Sequence, residues 1–369
     1  MNKVIRNEYL PNEVSPPGDT LRELLGERGI SQADLSARMG RPQKTISEIA
    51  NGKAAITPET ALELELVLGV AAEFWVARER DYRTHLAKAR QERRLRSDVA
   101  WARRFPVRQM VEFGWIPAAE DVAGRVKILL EFFGVASTKQ WKLKNESYRV
   151  AYRKSATFAP EEYALSAWLR AGIATGERLA VKPYKRDAFL RTLTEARGMT
   201  TSPPSEFRPK LTSLCAESGV AVAFVPELPR SRASGATMWL GPSRALIQLS
   251  FRYKTDDHFW FTFFHEAAHV LLHKKDAIFL ETEERSGEED EEAANRWAAD
   301  FLIPRRYNRD LASGAPYYSK TFIQDLAGTI GIAPGIVVGR LQHDELLPHT
   351  HCNDLKRKFR WSAGRDRQR

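Results

Sequence analysis

The stretch Phe261-Thr262-Phe263-Phe264-His265-Glu266-Ala267-Ala268-His269-Val270-Leu271-Leu272-His273 decides how the rest of this chain is read. Residues four apart share one face of a helix, so His265 and His269 can direct both imidazoles at a single ion about 2.0 to 2.1 Å away. Glu266 stands beside them. In the His-Glu-x-x-His arrangement that glutamate does not ligate the metal but takes a proton from water that the metal has made acidic. The apolar run 259–264 before the pair and Val270-Leu271-Leu272 after it predict one buried helix over about 256–273. A third ligand must come from elsewhere. His273 lies two turns beyond His265, and a rise of about 1.5 Å per residue puts it about 12 Å away along the axis, too far for the same tetrahedron. It is read as a neighbour of the site or a surface residue. A metzincin is excluded, because that spacing requires Gly at 272 and His at 275, where this chain has Leu272 and Lys275.

The acidic stretch 281–292 offers the missing donor. In the helix expected after it, Ala294, Trp297, Ala298, Phe301 and Leu302 form the apolar face, and Glu291 precedes Ala294 by three and Ala298 by seven. Glu291 therefore faces inward. Glu292 is turned a further ~100° toward solvent and ranks second. Upstream, the chain from 207 reads as a helix (211–218), a strand (220–225), a Gly- and Ser-containing loop, and a strand (245–250), an α+β opening to the long helix.

At the other end, Ser31 is a good N-cap before Gln32-Ala33-Asp34-Leu35, since its hydroxyl can accept from an otherwise unpaired first-turn amide. Gly40 ends that helix, Arg41-Pro42 opens the next with proline at the first helical position, and Asn51-Gly52 stops it. Two short helices across a tight glycine turn form a helix-turn-helix, whose second helix offers its early residues to the major groove. Gln43, Lys44, Thr45 and Ser47 become the candidate base readers, with Gln32, Asn51 and Lys53 placed to hold phosphates.

Composition bounds the remaining possibilities. A chain of 369 residues, 43% hydrophobic and 28% charged, can bury more than one core. No apolar run approaches the ~20 residues of a membrane span, and residues 1–10 show no secretory leader, so no membrane is expected and the location is read as cytoplasmic. Cys215 and Cys352 alone cannot build a disulfide framework or a CxxC metal site. The formal net charge is +10, which favours polyanionic partners. Basic residues cluster at Arg90, Arg93, Arg94, Arg96, Arg103 and Arg104, and again over 356–369.

Two resemblances sharpen this reading. The runs Ser31-Gln32-Ala33-Asp34-Leu35 and Ile49-Ala50-Asn51-Gly52-Lys53, followed by Ile56-Thr57-Pro58-Glu59-Thr60-Ala61 and Phe74-Trp75, resemble the HigA-type antitoxins of the Xre-like repressors over about 14–82. That resemblance implies a homodimer on double-stranded operator DNA and a toxin as a further partner. Residues 245–249, the quoted metal-helix stretch, and Glu291-Glu292-Ala293-Ala294-Asn295-Arg296-Trp297-Ala298-Ala299-Asp300-Phe301-Leu302-Ile303-Pro304 resemble the ImmA/IrrE metallopeptidases over about 207–342. This implies His265, His269 and Glu291 as ligands of one Zn2+ (Mn2+ or Fe2+ being the alternatives), Glu266 as general base and Asn295 near the site. It also implies that strand 245–250 is the edge on which a protein substrate, such as a repressor, would add as a further strand. The family usually has Gly where this chain has Ala268, which a helix accepts readily.

The expected fold is mainly α with an α+β peptidase domain: a helix-turn-helix bundle (14–82), a helical connector (83–205), a zincin-like core with a small sheet (206–305) and a helical end piece with a basic tail (306–369). The expected function is transcriptional regulation by a DNA-binding protein that also carries a zinc endopeptidase. The rival is a non-enzymatic antitoxin or autorepressor whose metal site is structural or inactive. Within the end piece, 322–342 reads either as a second helix-turn-helix-like unit or as packing alone.

Overall fold

Proline at its first turn starts helix α1 (Pro17–Glu27), and a reciprocal capping box, in which Ser31 and Asp34 each accept from the other's backbone, starts α2 (Gln32–Met39). Gly40 ends α2 in the left-handed conformation (φ 65°), and α3 (Gln43–Ala50) follows with Pro42 as its N-cap, one position earlier than the sequence reading placed it. Helices α4 (Pro58–Leu68) and α5 (Ala72–Ser97) complete the bundle around Leu21, Leu35, Ile46, Ile49, Leu64, Leu68 and Trp75. The computed structural model describes residues 14–155, 162–250, 252, 255–273, 279–282, 289–315 and 317–359. The chain divides into two compact units, residues 1–97 and 98–369, so α5 runs without a break past position 82.

The second unit begins with α6 (Val99–Ala102), α7 (Val107–Glu112), α8 (Val122–Phe133) and α9 (Thr138–Ser155). Their aromatic residues form a cluster of ring contacts, Trp101 on Trp141 at 5.6 Å and Phe105 on Tyr163 at 4.9 Å. Next come α10 (Glu162–Arg178), α11 (Arg186–Gly198) and α12 (Pro204–Glu217). Helix α10, set in the connector by the sequence reading, packs against the sheet: the indole of Trp168 donates to the Val225 carbonyl, and Gln248 donates to that of Trp168.

The sheet comprises β1 (Val220–Phe224), β2 (Ala233–Gly241), β3 (Arg244–Leu249) and β4 (Phe279–Thr282), in the order β1-β3-β2-β4. Strands β1 and β3 pair in parallel, while β2 is antiparallel to β3 and to β4. Gly172 and Gly176 of α10 lie against Gln248 and Leu246 on one face, and Ala245, Ile247 and Leu249 join the core on the other face with α13 (Asp256–Leu272). Coverage of both faces explains why β1 reads as a continuous apolar run.

Two sequence expectations are corrected here. The Gly- and Ser-containing loop before residue 245 holds strand β2, and β3 is consequently an interior strand and not the edge expected to receive a substrate. The cause is local: Ala233-Ser234-Gly235-Ala236-Thr237 has the small residues needed to pass beneath α13, and these erase the usual strand signature.

After β4 come α14 (Glu289–Leu302), α15 (Asn308–Ser313), α16 (Lys320–Ile330) and α17 (Pro334–His343). The α16–α17 pair bends by 111° like a helix-turn-helix, but Ile336, Val337, Val338 and Leu341 are buried and no residue of 334–342 is exposed. A reading helix needs an open face, so this pair is packing. Among the described residues no single helix is long and apolar enough to cross a membrane. The chain then returns to the start of α13, where Lys356 Nζ lies 2.6 Å from the Asp257 carboxylate and the Arg357 backbone N–H donates to Asp256 at 3.1 Å. Phe359 packs beside it on Phe207 and Phe259.

Helix α17 can approach α13 because Gly335 has no side chain; a Cβ there would stand 2.3 Å from Asp256 Oδ1. Gly335→Ala is expected to destabilise the second unit by about 1 to 3 kcal/mol through overpacking. Denaturant unfolding followed by tryptophan fluorescence would show an unchanged midpoint if this contact were not limiting.

Candidate metal centre

Helix α13 is buried along nearly its whole length, and His265, Glu266 and His269 are only 2%, 0% and 1% exposed. Helix α14 packs along it through Ala294, Ala298 and Leu302, with the Phe301 ring 5.2 Å from that of Phe264. That register carries Glu291 over the two histidines. Glu292, the second choice from sequence, is exposed, and Asn295 is half-buried one turn beyond Glu291.

Three side chains converge. His265 Nε2 lies 3.0 Å from His269 Nε2 and 3.1 Å from Glu291 Oε2, and His269 Nε2 lies 3.6 Å from Glu291 Oε1. A zinc ion with donors about 2.0 to 2.1 Å away in tetrahedral arrangement separates those donors by about 3.3 to 3.4 Å. The observed separations bracket that value, so the three residues can hold a metal ion.

Protonation suits the same role. Burial presses the His269 imidazole down to about 4, against the pull of Glu291, so it is neutral near pH 7 with a lone pair to offer. Burial works to raise the Glu291 carboxyl, but hydrogen bonding to His265 and His269 outweighs it and holds the group at about 2, an anion. His273 is not a third ligand. Its Nδ1 lies 2.8 Å from Nδ1 of His269, and its Nε2 lies 3.4 Å from Asp290. A proton on His269 Nδ1 shared with His273 leaves Nε2 of His269 to face the other ligands.

Glu266 is held from a direction the sequence reading missed. Thr237 of β2 donates to its Oε2 at 2.6 Å, and both side chains are buried. Beside it, Gly235 is required by close approach, since a Cβ there would stand 2.4 Å from Glu266 Oε1. The signal was present as a glycine two residues before a threonine, yet only the strand assignment gives that spacing a shared face.

In the first unit, Ile46, Ile49 and Ala50 bury one side of α3, while Gln43 and Lys44 are exposed and Thr45 and Ser47 half-buried. Glu48, absent from the sequence reading, stands beside Lys44 at 3.9 Å. Lys53 is exposed and Gln32 half-buried. The Asn51 amide donates to the Ser47 carbonyl at 2.8 Å, which commits it to finishing α3.

The depressed His269 value makes stability depend on pH. Because the folded group titrates near 4 and the unfolded one near 6.5, the unfolded chain binds the proton first, and stability present above pH 6.5 is lost as pH falls toward 4. Glu291 acts in the same sense, titrating near 2 when folded against 4.5 when unfolded. The metal-free second unit should lose on the order of 3 kcal/mol between pH 7 and pH 4, and His269→Gln should flatten the profile. Denaturant melts across that range check this, and a flat wild-type profile would contradict it.

Comparison with known proteins agrees with both halves. Residues 21–75 match the family described as helix-turn-helix, and residues 229–341 match a peptidase family described as the IrrE N-terminal-like domain. An HTH-type transcriptional regulator of Escherichia coli (strain K12), YddM, is 37% identical over 60 residues, which are 16% of this chain. The chain spans 64% of that relative's length. Among solved structures, an addiction module antidote protein of the HigA family from Coxiella burnetii is 26% identical, covering 23% of this chain and 95% of its own, with a TM-score of 0.22. A putative antidote protein of a plasmid maintenance system from Nostoc punctiforme is 24% identical, covering 21% and 91%, with a TM-score of 0.19. This chain therefore joins a DNA-binding helix-turn-helix domain of the transcriptional-regulator type to an IrrE-like domain of metallopeptidase type.

Proposed function

We propose that this protein is a cytoplasmic, homodimeric operator-binding regulator whose second unit is a zinc-dependent endopeptidase acting on a repressor or partner protein. The observation that carries the enzymatic half is the convergence of His265 and His269 Nε2, 3.0 Å apart on the helix that also bears Glu266, with the Glu291 carboxylate of α14, whose Oε2 and Oε1 lie 3.1 and 3.6 Å from them. His265, His269 and Glu291 would hold Zn2+, which when bound supplies Lewis acidity.

The remaining chemistry belongs to the chain. Glu266 takes a proton from the attacking water and passes it to the departing amine of the peptide. Thr237 steadies one carboxylate oxygen of Glu266, and Gly235 leaves room for the other, so the base keeps one orientation through both transfers. Burial of the site excludes bulk water and strengthens each of these interactions. On the DNA side, Gln43, Lys44, Thr45 and Ser47 read bases and Gln32 and Lys53 contact phosphates, while Asn51 acts chiefly by terminating α3. A toxin partner fits the antidote-like neighbours of the first unit.

Two outcomes test this reading. Glu266→Gln should keep one metal ion per chain, measured by atomic emission, yet lose at least 100-fold in cleavage of the natural protein partner. Unaltered cleavage would remove the peptidase. Gln43→Ala and Lys44→Ala should each lower operator affinity by about 1 to 3 kcal/mol in a titration at fixed salt, and unchanged affinity would remove these residues as base readers.

A further inference from the structure

The first unit carries a charged surface that neither the helix-turn-helix nor the metal centre uses. Helix α5 enters the bundle through Trp75, but from Arg83 to Arg94 none of its residues is fully buried. The next buried residue of the helix is Leu95. Between positions 88 and 96 it bears Lys88, Arg90, Arg93, Arg94 and Arg96 against Glu92 alone. Among the described residues the ion pairs of α5 end with Arg83–Glu79, and none of those five cations has a carboxylate partner. Arg90 also stands three and four residues from Arg93 and Arg94, like charges at spacings that destabilise a helix in water. Such an arrangement is relieved by an anion from outside.

Its position identifies the anion. Glu79 of α5 accepts from the Ile56 amide at 3.1 Å, and the Tyr82 hydroxyl stands 3.7 Å from where a side chain at Gly52 would begin. Helix α5 therefore crosses the bundle at the turn that ends α3, beside exposed Lys53. From Tyr82 to Ser97 it continues for about 22 Å, at about 1.5 Å per residue. Arg83, Arg90 and Arg94 recur at seven- and four-residue steps along one side of that rod, with Arg93 adjoining.

We infer that the second half of α5 is a phosphate-contacting arm that extends the DNA footprint beyond the helix-turn-helix through Arg90, Arg93 and Arg94. This rests on the DNA-binding reading of the first unit. The arm contributes affinity and salt dependence without sequence preference, because a guanidinium on phosphate carries no base information.

The test uses the full chain and a fluorescent 30-base-pair duplex of arbitrary sequence, with affinity measured across a KCl series. Substituting Arg90→Gln, Arg93→Gln and Arg94→Gln together should make the slope of log affinity against log salt shallower by about 2 to 3, at about 0.9 for each phosphate no longer neutralised. The same three positions changed to Lys should restore most of the slope, and the Gln variant should melt no lower than wild type. A wild-type slope in the Gln variant overturns the inference. So does a loss confined to binding phosphatidylserine vesicles, which would assign the arm to a membrane surface. A wild-type chain that binds no duplex removes the DNA reading together with the arm. Binding weakened by Lys44→Gln but untouched by the triple change removes the arm alone.

Discussion

The second unit depends on one electrostatic constraint, the Glu291 carboxylate anion lodged beside the His265 and His269 imidazoles in a place nearly closed to water. Burying an ionised Glu291 is costly unless a positive partner shares the site. Burial keeps His269 unprotonated, so hydrogen bonding from the imidazoles, and not a charge on His269, holds Glu291 ionised. A cation among the three would add the positive charge that His269 lacks. The packing of α14 on α13 through Ala294, Ala298 and Leu302 is what sets the spacing of Glu291 from the two histidines.

Much of this was legible in the chain itself. The four-residue step from His265 to His269 and the three- and seven-residue steps from Glu291 to Ala294 and Ala298 are helix-period facts, and helix periodicity survives the passage from sequence to structure because it is local. The turn between α2 and α3 was legible for the same reason, through Ser31, Gly40 and Asn51.

What could not be read were arrangements fixed across the sheet. Strand β2 was hidden because Gly235 and its small neighbours answer to Glu266 rather than to strand propensity, and with β2 hidden, β3 looked like an edge. Thr237 escaped notice likewise, since its partner lies 29 residues away. Of the two readings left open for 322–342, packing alone holds: the turn has the local shape of the motif, but its second helix, α17, is taken up by the core.

The bond between residues near 357 and the start of α13 has a consequence for how the protein comes into being. Asp256 and Asp257 wait for partners about a hundred positions downstream, at a sequence separation of 101 for the Arg357–Asp256 contact. Until a growing chain has emerged from the ribosome past that point, two carboxylates at the foot of α13 lack the cations that settle them, and the ordering of this helix is deferred. Contacts of such long range form late in folding. The bundle of residues 14–97, whose core closes among its own residues, has no such dependence.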